Sequence, residues 1–170
     1  MYGGIAVKFS GRPLPCCFTG HRHIPAREMA GVQAFLEQTI EEMIARGVRV
    51  FNAGGAFGFD MLAEETVLAT RARHPEKKVQ LHLLLPCRWH DKYWQPSDKA
   101  RMRAIVEQAD FTRCLADYYY DGCMAKRNEF LVNCSGICVY YLRHFPSGTA
   151  QTVDMARRAR LVMVGVPPAP

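Results

Sequence analysis

Three glycine-bearing turns, each set between an apolar strand-like run and a helical pattern, constrain this chain more than any other feature. They are Cys17-Phe18-Thr19-Gly20-His21-Arg22, Asn52-Ala53-Gly54-Gly55-Ala56-Phe57-Gly58-Phe59-Asp60 and Pro146-Ser147-Gly148-Thr149. Glycine lets a backbone approach a ligand closely, and the first amides of a helix lack intrahelical acceptors. A strand, a glycine turn and a helix start together make an anion site. Repetition of this unit calls for a parallel sheet with helices on both faces.

The rest of the chain follows the same alternation. Strands are expected at residues 14–18, 48–51, 79–85, 114–116, 137–142 and 161–166. The third is almost wholly apolar, as a strand covered on both faces should be. Helices are expected at 27–45, 59–71, 97–108, 124–133 and 149–160. The first carries Met29, Val32, Leu36, Ile40 and Met43 on one stripe and ends at Gly47. The second turns Leu62, Ala63, Thr66 and Val67 inward. Ser97 and Thr149 are the expected caps of their helices. This gives an α/β fold: one three-layer α/β/α domain with a mainly parallel sheet over residues 14–166. A 1–13 arm precedes it and a proline-rich 167–170 tail follows. Ligands of such sheets sit beyond the carboxyl ends of the strands, where all three turns fall.

Composition narrows the setting. The net charge of +6 suits an anionic small molecule or nucleic acid. Seven cysteines, an odd number without a C-x-x-C pair, argue against a disulfide framework and for a reducing, cytoplasmic location. No four-ligand zinc set is evident, so no metal is expected. There is no signal-peptide layout, and no run reaches the ~20 apolar residues of a membrane span.

The chemistry-bearing residues group at the turns. Thr19, Gly20 and Arg22 offer a hydroxyl, amides and a guanidinium suited to phosphate or carboxylate. The turn with Gly54, Gly55 and Gly58 lacks the dinucleotide fingerprint spacing and the P-loop lysine. Asp60 and Glu64 stand one turn apart on the following helix. Asp60 either favours the positive helix end or holds a sugar hydroxyl or acts in acid–base chemistry. Gly148 and Thr149 open the last helix at a natural phosphate site. Trp89 and Trp94, with Tyr93, are candidates to stack on a base or else cover a core edge, as are Tyr118, Tyr119 and Tyr120. His23 and His90 read as polar surface or pocket rim.

Taken together these motifs resemble the SLOG superfamily, which unites DprA-like and Lonely-guy-like Rossmann proteins, and within it the YpsA/YoqJ-like branch. The resemblance is carried by Thr19-Gly20-His21-Arg22, the segment from Gly54 to Asp60, Pro86 with Trp94, Arg127-Asn128 and Gly148-Thr149. It implies a Rossmann-like fold and a nucleotide-derived ligand, with Arg127 and Asn128 joining the phosphate site. Lonely-guy phosphoribohydrolases carry a Met-x-x-Arg helix and a later Gly-Gly-x-Gly-Thr-x-x-Glu turn. Here Met124-Ala125-Lys126-Arg127 aligns with the first, and Gly148 to Thr152 with the end of the second. Thr152 therefore replaces the glutamate that N-glycosidic cleavage requires.

The leading expectation is a nucleotide-binding sensor or processing protein. The phosphate would rest on amides near Gly20, Gly55 and Gly148, with side-chain bonds from Thr149, Arg22 and Arg127. No resident cofactor is expected beyond a bound nucleotide or phosphate. One alternative is a nucleotide N-glycosidase using Asp60 or Glu64. Another is a DprA-like binder of single-stranded DNA, suggested by the charge and by Lys99, Arg101 and Arg103. A homodimer is the expected assembly.

Overall fold

The computed structural model describes residues 14–168, so the proposed 1–13 arm and the last two tail residues lie outside it. Six strands form one sheet in the order β4-β3-β2-β1-β5-β6, and every pairing is parallel. The strands are β1 (Cys16–Gly20), β2 (Val50–Ala53), β3 (Gln80–Leu85), β4 (Phe111–Cys114), β5 (Ile137–Tyr141) and β6 (Val162–Gly165). The helices are α1 (Ala26–Ala45), α2 (Phe59–Arg73), α3 (Pro96–Gln108), α4 (Cys123–Asn133) and α5 (Gly148–Arg158). The α/β reading is thus correct, and the sheet is parallel throughout the described residues.

The period-two alternation of β1 builds both layers. Cys16 and Phe18 enter a large apolar core with Leu36, Ile40, Phe51, Phe59 and Leu83. Cys17 faces the other way, against Leu131, Val132, Cys138 and Ala156. Helices α1, α2 and α3 pack on one another on the first face, and α4 packs on α5 on the second. Chain order runs outward from β1 to β4, then returns to the far side of β1 for β5. The strand order therefore reverses between β1 and β5, and that crevice is where an open α/β sheet takes its ligand.

Several local expectations shift. The first two strands run two residues later than the apolar runs suggest. Thr19 and Gly20 pair with Tyr140 and Tyr141, so the ladder extends through the first glycine. That glycine is needed for space, because a Cβ there would strike the Phe59 ring. The fourth strand lies earlier, since Phe111–Cys114 pairs with His82–Leu85 and all four of its residues are exposed at the edge. On α1, burial begins at Val32, one turn after the exposed Met29. On α2, Leu62 is half-buried, whereas Asp60 and Glu64 face inward. Neither Ser97 nor Thr149 caps its helix. Gln95 precedes α3, with Pro96 in its first turn, where a missing N–H costs nothing. Ser147 caps α5 by accepting from the Ala150 N–H at 3.1 Å.

Candidate functional site

A cavity of about 300 Å³ opens at the strand-order reversal. Its walls include Thr19, Gly20, Arg22, Asp60, Arg127, Asn128, Gly148 and Thr149, brought from the end of β1, the middle of α4 and the starts of α2 and α5. Eight of the residues picked from sequence thus meet in one place. Gly54, Gly55, Gly58, Glu64, Trp89 and Trp94 do not line it.

His21, which has no separate role in the sequence reading, braces the three turns. Its carbonyl accepts from the Phe59 N–H at 3.2 Å, at the second turn. Its Nε2 accepts from the Arg143 N–H at 2.8 Å and the His144 N–H at 3.3 Å, at the third. The ring stacks on His144, with centroids 3.8 Å apart. An imidazole nitrogen that accepts twice is unprotonated, so its proton belongs on Nδ1. Burial, then His144 and Arg143, holds its pKa below the ordinary histidine value. A glycine next to a histidine marks a turn in sequence but gives no sign that the ring will accept two amides from a segment 122 residues away.

The acidic pair behaves unlike two surface carboxylates. Burial raises Asp60 to about 6, against the pull of Arg127, a backbone bond from Gly20, and Arg22. Glu64 is fully buried, and burial together with the Asp60 charge pushes it well above the carboxylate range. Its Oε1 accepts from the Gly55 N–H at 2.8 Å. Its Oε2 has no partner among the described residues. Burial thus favours the protonated form of Glu64 relative to a surface carboxylate, while Asp60, at about 6, is mostly ionised at pH 7. The bond to Glu64 also uses the Gly55 amide expected to hold phosphate.

Arg127 ties α4 to this cluster. It donates Nη1 to the Gly54 carbonyl and Nε to Asn128 Oδ1 at 2.7 Å. A Cβ on Gly54 would collide with the guanidinium, which explains that glycine. Burial pushes the Arg127 pKa down, and Asp60 and Glu64 push it up. Asn128 is engaged at both ends, since its Nδ2 donates to Thr152 Oγ1 at 2.8 Å. Thr152 in turn donates to the Gly148 carbonyl at 2.9 Å and does not line the cavity. At α5, Ser147 takes the Ala150 amide through its hydroxyl and the Gln151 amide through its carbonyl. The amides of Gly148 and Thr149 have no acceptor among the described residues.

The aromatic candidates lie elsewhere. Trp94 packs edge-on against Phe57 and His90, at centroid distances of 5.9 and 5.5 Å. Trp89 is 76% exposed and borders a separate cavity at the β3–α3 corner. Tyr118, Tyr119 and Tyr120 are exposed on the loop after β4. His90 is half-buried, with Nε2 at 3.0 Å from the Gly55 carbonyl, and supports the second turn. His23 is exposed. All seven cysteines are free thiols, and among the described residues no cluster of His, Cys, Asp or Glu could hold a metal ion. No described helix is long and apolar enough to cross a membrane.

The chain belongs to the YspA SLOG family, whose model matches residues 17–161. It is similar to a UPF0398 protein of Halalkalibacterium halodurans, with 29% identity over 141 residues, 81% of this chain and 72% of that one. A UPF0398 protein of Staphylococcus saprophyticus is 27% identical over 57% of this chain, a match spanning half of the relative's length. Among solved structures, DNA processing protein A from Helicobacter pylori, described for its single-stranded DNA binding mode, has a TM-score of 0.66 at 17% identity. That match covers 93% of this chain and 67% of that one. The molybdenum cofactor carrier protein from Chlamydomonas reinhardtii has a TM-score of 0.53 at 14% identity, covering 91% and 76%. At these identities the structural likeness establishes the fold, which is Rossmann-like.

Proposed function

We propose that this SLOG-family protein binds a nucleotide or nucleotide derivative at the crevice between β1 and β5. The observation that supports this is the convergence of Arg22, Arg127 and the open Gly148 and Thr149 amides on one cavity of about 300 Å³. A phosphate there meets a helix N-terminus and two guanidinium groups, each favouring negative charge. Asp60 is the cavity's carboxylate, and its place is on a hydroxyl of the sugar, since an ionised carboxylate repels phosphate.

The cavity favours binding over N-glycosidic cleavage. Thr152, where a Lonely-guy glutamate would stand, is turned to Asn128 and the Gly148 carbonyl. Glu64 accepts from the Gly55 amide and does not line the cavity, which leaves Asp60 as the sole carboxyl lining the site among the described residues. Calorimetric titration with adenosine monophosphate, ribose 5-phosphate and inorganic phosphate tests the reading. Binding of the nucleotide, lost in Arg22→Ala with an unchanged melting temperature, is the expected result. A folded wild-type protein that binds none of the nucleoside monophosphates refutes it.

A further inference from the structure

Three of the seven cysteines gather at the β3–α3 corner, outside the site described above. Cys87 follows β3, Cys114 ends β4 and Cys123 opens α4. Two backbone hydrogen bonds hold the first two segments side by side. The Leu115 N–H donates to the Leu85 carbonyl at 2.9 Å, and the Arg88 N–H to the Ala116 carbonyl at 3.1 Å. Cys87 and Cys114 both line the cavity of about 520 Å³ at this corner. Cys114 sits on the exposed edge strand, while Cys87 and Cys123 are buried. The Cys87 thiol is in hydrogen-bonding contact with the Cys123 thiol. Burial, then Cys123 and Cys114, holds Cys87 above the ordinary thiol value, so it rests as the protonated thiol. The cluster therefore runs from a thiol in water, along a cavity wall, to a buried pair in contact.

The cavity suits an acidic guest. Its rim carries Arg88, Lys92, Lys99 and Arg103 against Asp91 and Glu107. Arg88 pairs with Asp117 at 2.9 Å, whereas Arg103 is exposed and has no partner among the described residues. The other cysteines are placed differently. Cys134 is exposed just beyond α4 and does not line this cavity, and Cys16, Cys17 and Cys138 are buried in the sheet.

We propose that Cys114, Cys87 and Cys123 form a thiol relay, oxidised by a small anionic disulfide seated in this cavity. In the first step the Cys114 sulfur attacks one sulfur of the guest. A Cys114–guest bond forms, the guest's own S–S bond breaks, and one small thiol leaves with the Cys114 proton. In the second step the Cys87 sulfur attacks the Cys114 sulfur, and the other small thiol leaves with the Cys87 proton. In the third the Cys123 sulfur attacks that of Cys87, and the Cys123 proton passes to Cys114. Cys114 is a free thiol again, and Cys87 and Cys123 are joined. The two electrons lost by that pair reduce the guest disulfide to two thiols. Both internal steps gain from a proximity that a free thiol in solution lacks. Because Cys123 heads α4, the new bond ties that helix to the end of β3. The chemistry needs no nucleotide in the crevice, so the two readings stand or fall separately.

The test treats reduced wild-type protein with glutathione disulfide, quenches it with an alkylating agent at intervals and maps each cysteine by peptide mass spectrometry. A glutathione adduct should appear first on Cys114. A Cys87–Cys123 disulfide should follow as the adduct decays, with Cys114 again open to alkylation. Cys134 should take up glutathione more slowly and enter no disulfide. In Cys114→Ser the Cys87–Cys123 bond should be lost over the same interval. In Cys87→Ala the Cys114 adduct should persist. Raised salt or Arg103→Ala should slow glutathione disulfide several-fold and leave uncharged hydroxyethyl disulfide unaffected. Cys114 and Arg103 are exposed, so neither of those variants removes a packed side chain. Failure of the Cys87–Cys123 bond to form in wild type overturns the proposal. So does an adduct on Cys134 as fast as on Cys114, or a glutathione rate indifferent to salt and to Arg103.

Discussion

Asp60→Asn should make the protein more stable, by an amount that depends on pH. The Asp60 carboxyl is ordinary in the unfolded chain, near 3.8, and is raised to about 6 by burial in the fold. The native state therefore holds a proton that the unfolded state has released, and stability falls as pH rises between those values. Below 3.8 the group costs nothing, and above about 6 the cost is complete. At about 1.36 kcal/mol per tenfold, ionised Asp60 costs the fold about 3 kcal/mol. Asparagine keeps the shape and discards the charge. Removing the Asp60 charge lifts one of the causes that raise Glu64, whose carboxyl burial continues to hold up. His21 and His90, whose pKa values are lowered, bear on stability at acid pH in wild type and variant alike, so their effect cancels in the comparison. Urea unfolding of both proteins from pH 4 to 8 reads the difference. The variant should gain about 3 kcal/mol at pH 8, or about 6–12 °C in melting temperature, and only about 0.6 kcal/mol at pH 4. A gain independent of pH, or a loss at pH 8, would refute the account of Asp60 as a strained buried charge.

Two further outcomes follow from the same cluster. Gly54→Ala drives a methyl group into the buried Arg127 guanidinium and should cost about 1–3 kcal/mol by overpacking, together with nucleotide binding; denaturant midpoints and calorimetry check both. His21 should titrate below 6.5 by NMR. Its stabilising effect is complete above that value and is lost as pH falls through the lowered folded pKa, when Nε2 gains a proton and can no longer accept from Arg143 and His144.

The fold was legible because its signals are local: apolar runs for strands, glycines for turns, helical periodicity between them. So was most of the cavity, since Thr19, Arg22, Asp60, Arg127 and Gly148 all sit at strand ends or helix starts that the topology gathers. What escaped depends on partners distant in sequence. Nothing around Glu64 shows that its carboxyl will meet the Gly55 amide, or that burial will raise its pKa. Nothing around Thr152 shows that Asn128, 24 residues earlier, will claim its hydroxyl. Ser147 and Thr149 both suit a cap, and only the backbone chooses between them. Trp89 and Trp94 look alike in sequence, yet one ring packs on Phe57 and the other stands in water.

The double acceptance by His21 also bears on how fast a ligand is captured. Hydrogen bonds to the carbonyl and ring of His21 lash the second and third turns to the end of β1 before anything arrives. On the proposed reading, these turns are ordered in advance of the ligand, so little of their conformational entropy is surrendered on association. On that reading, capture should proceed at the rate of electrostatically guided diffusion, in one kinetic phase, with selectivity among ligands exercised in how long each one stays.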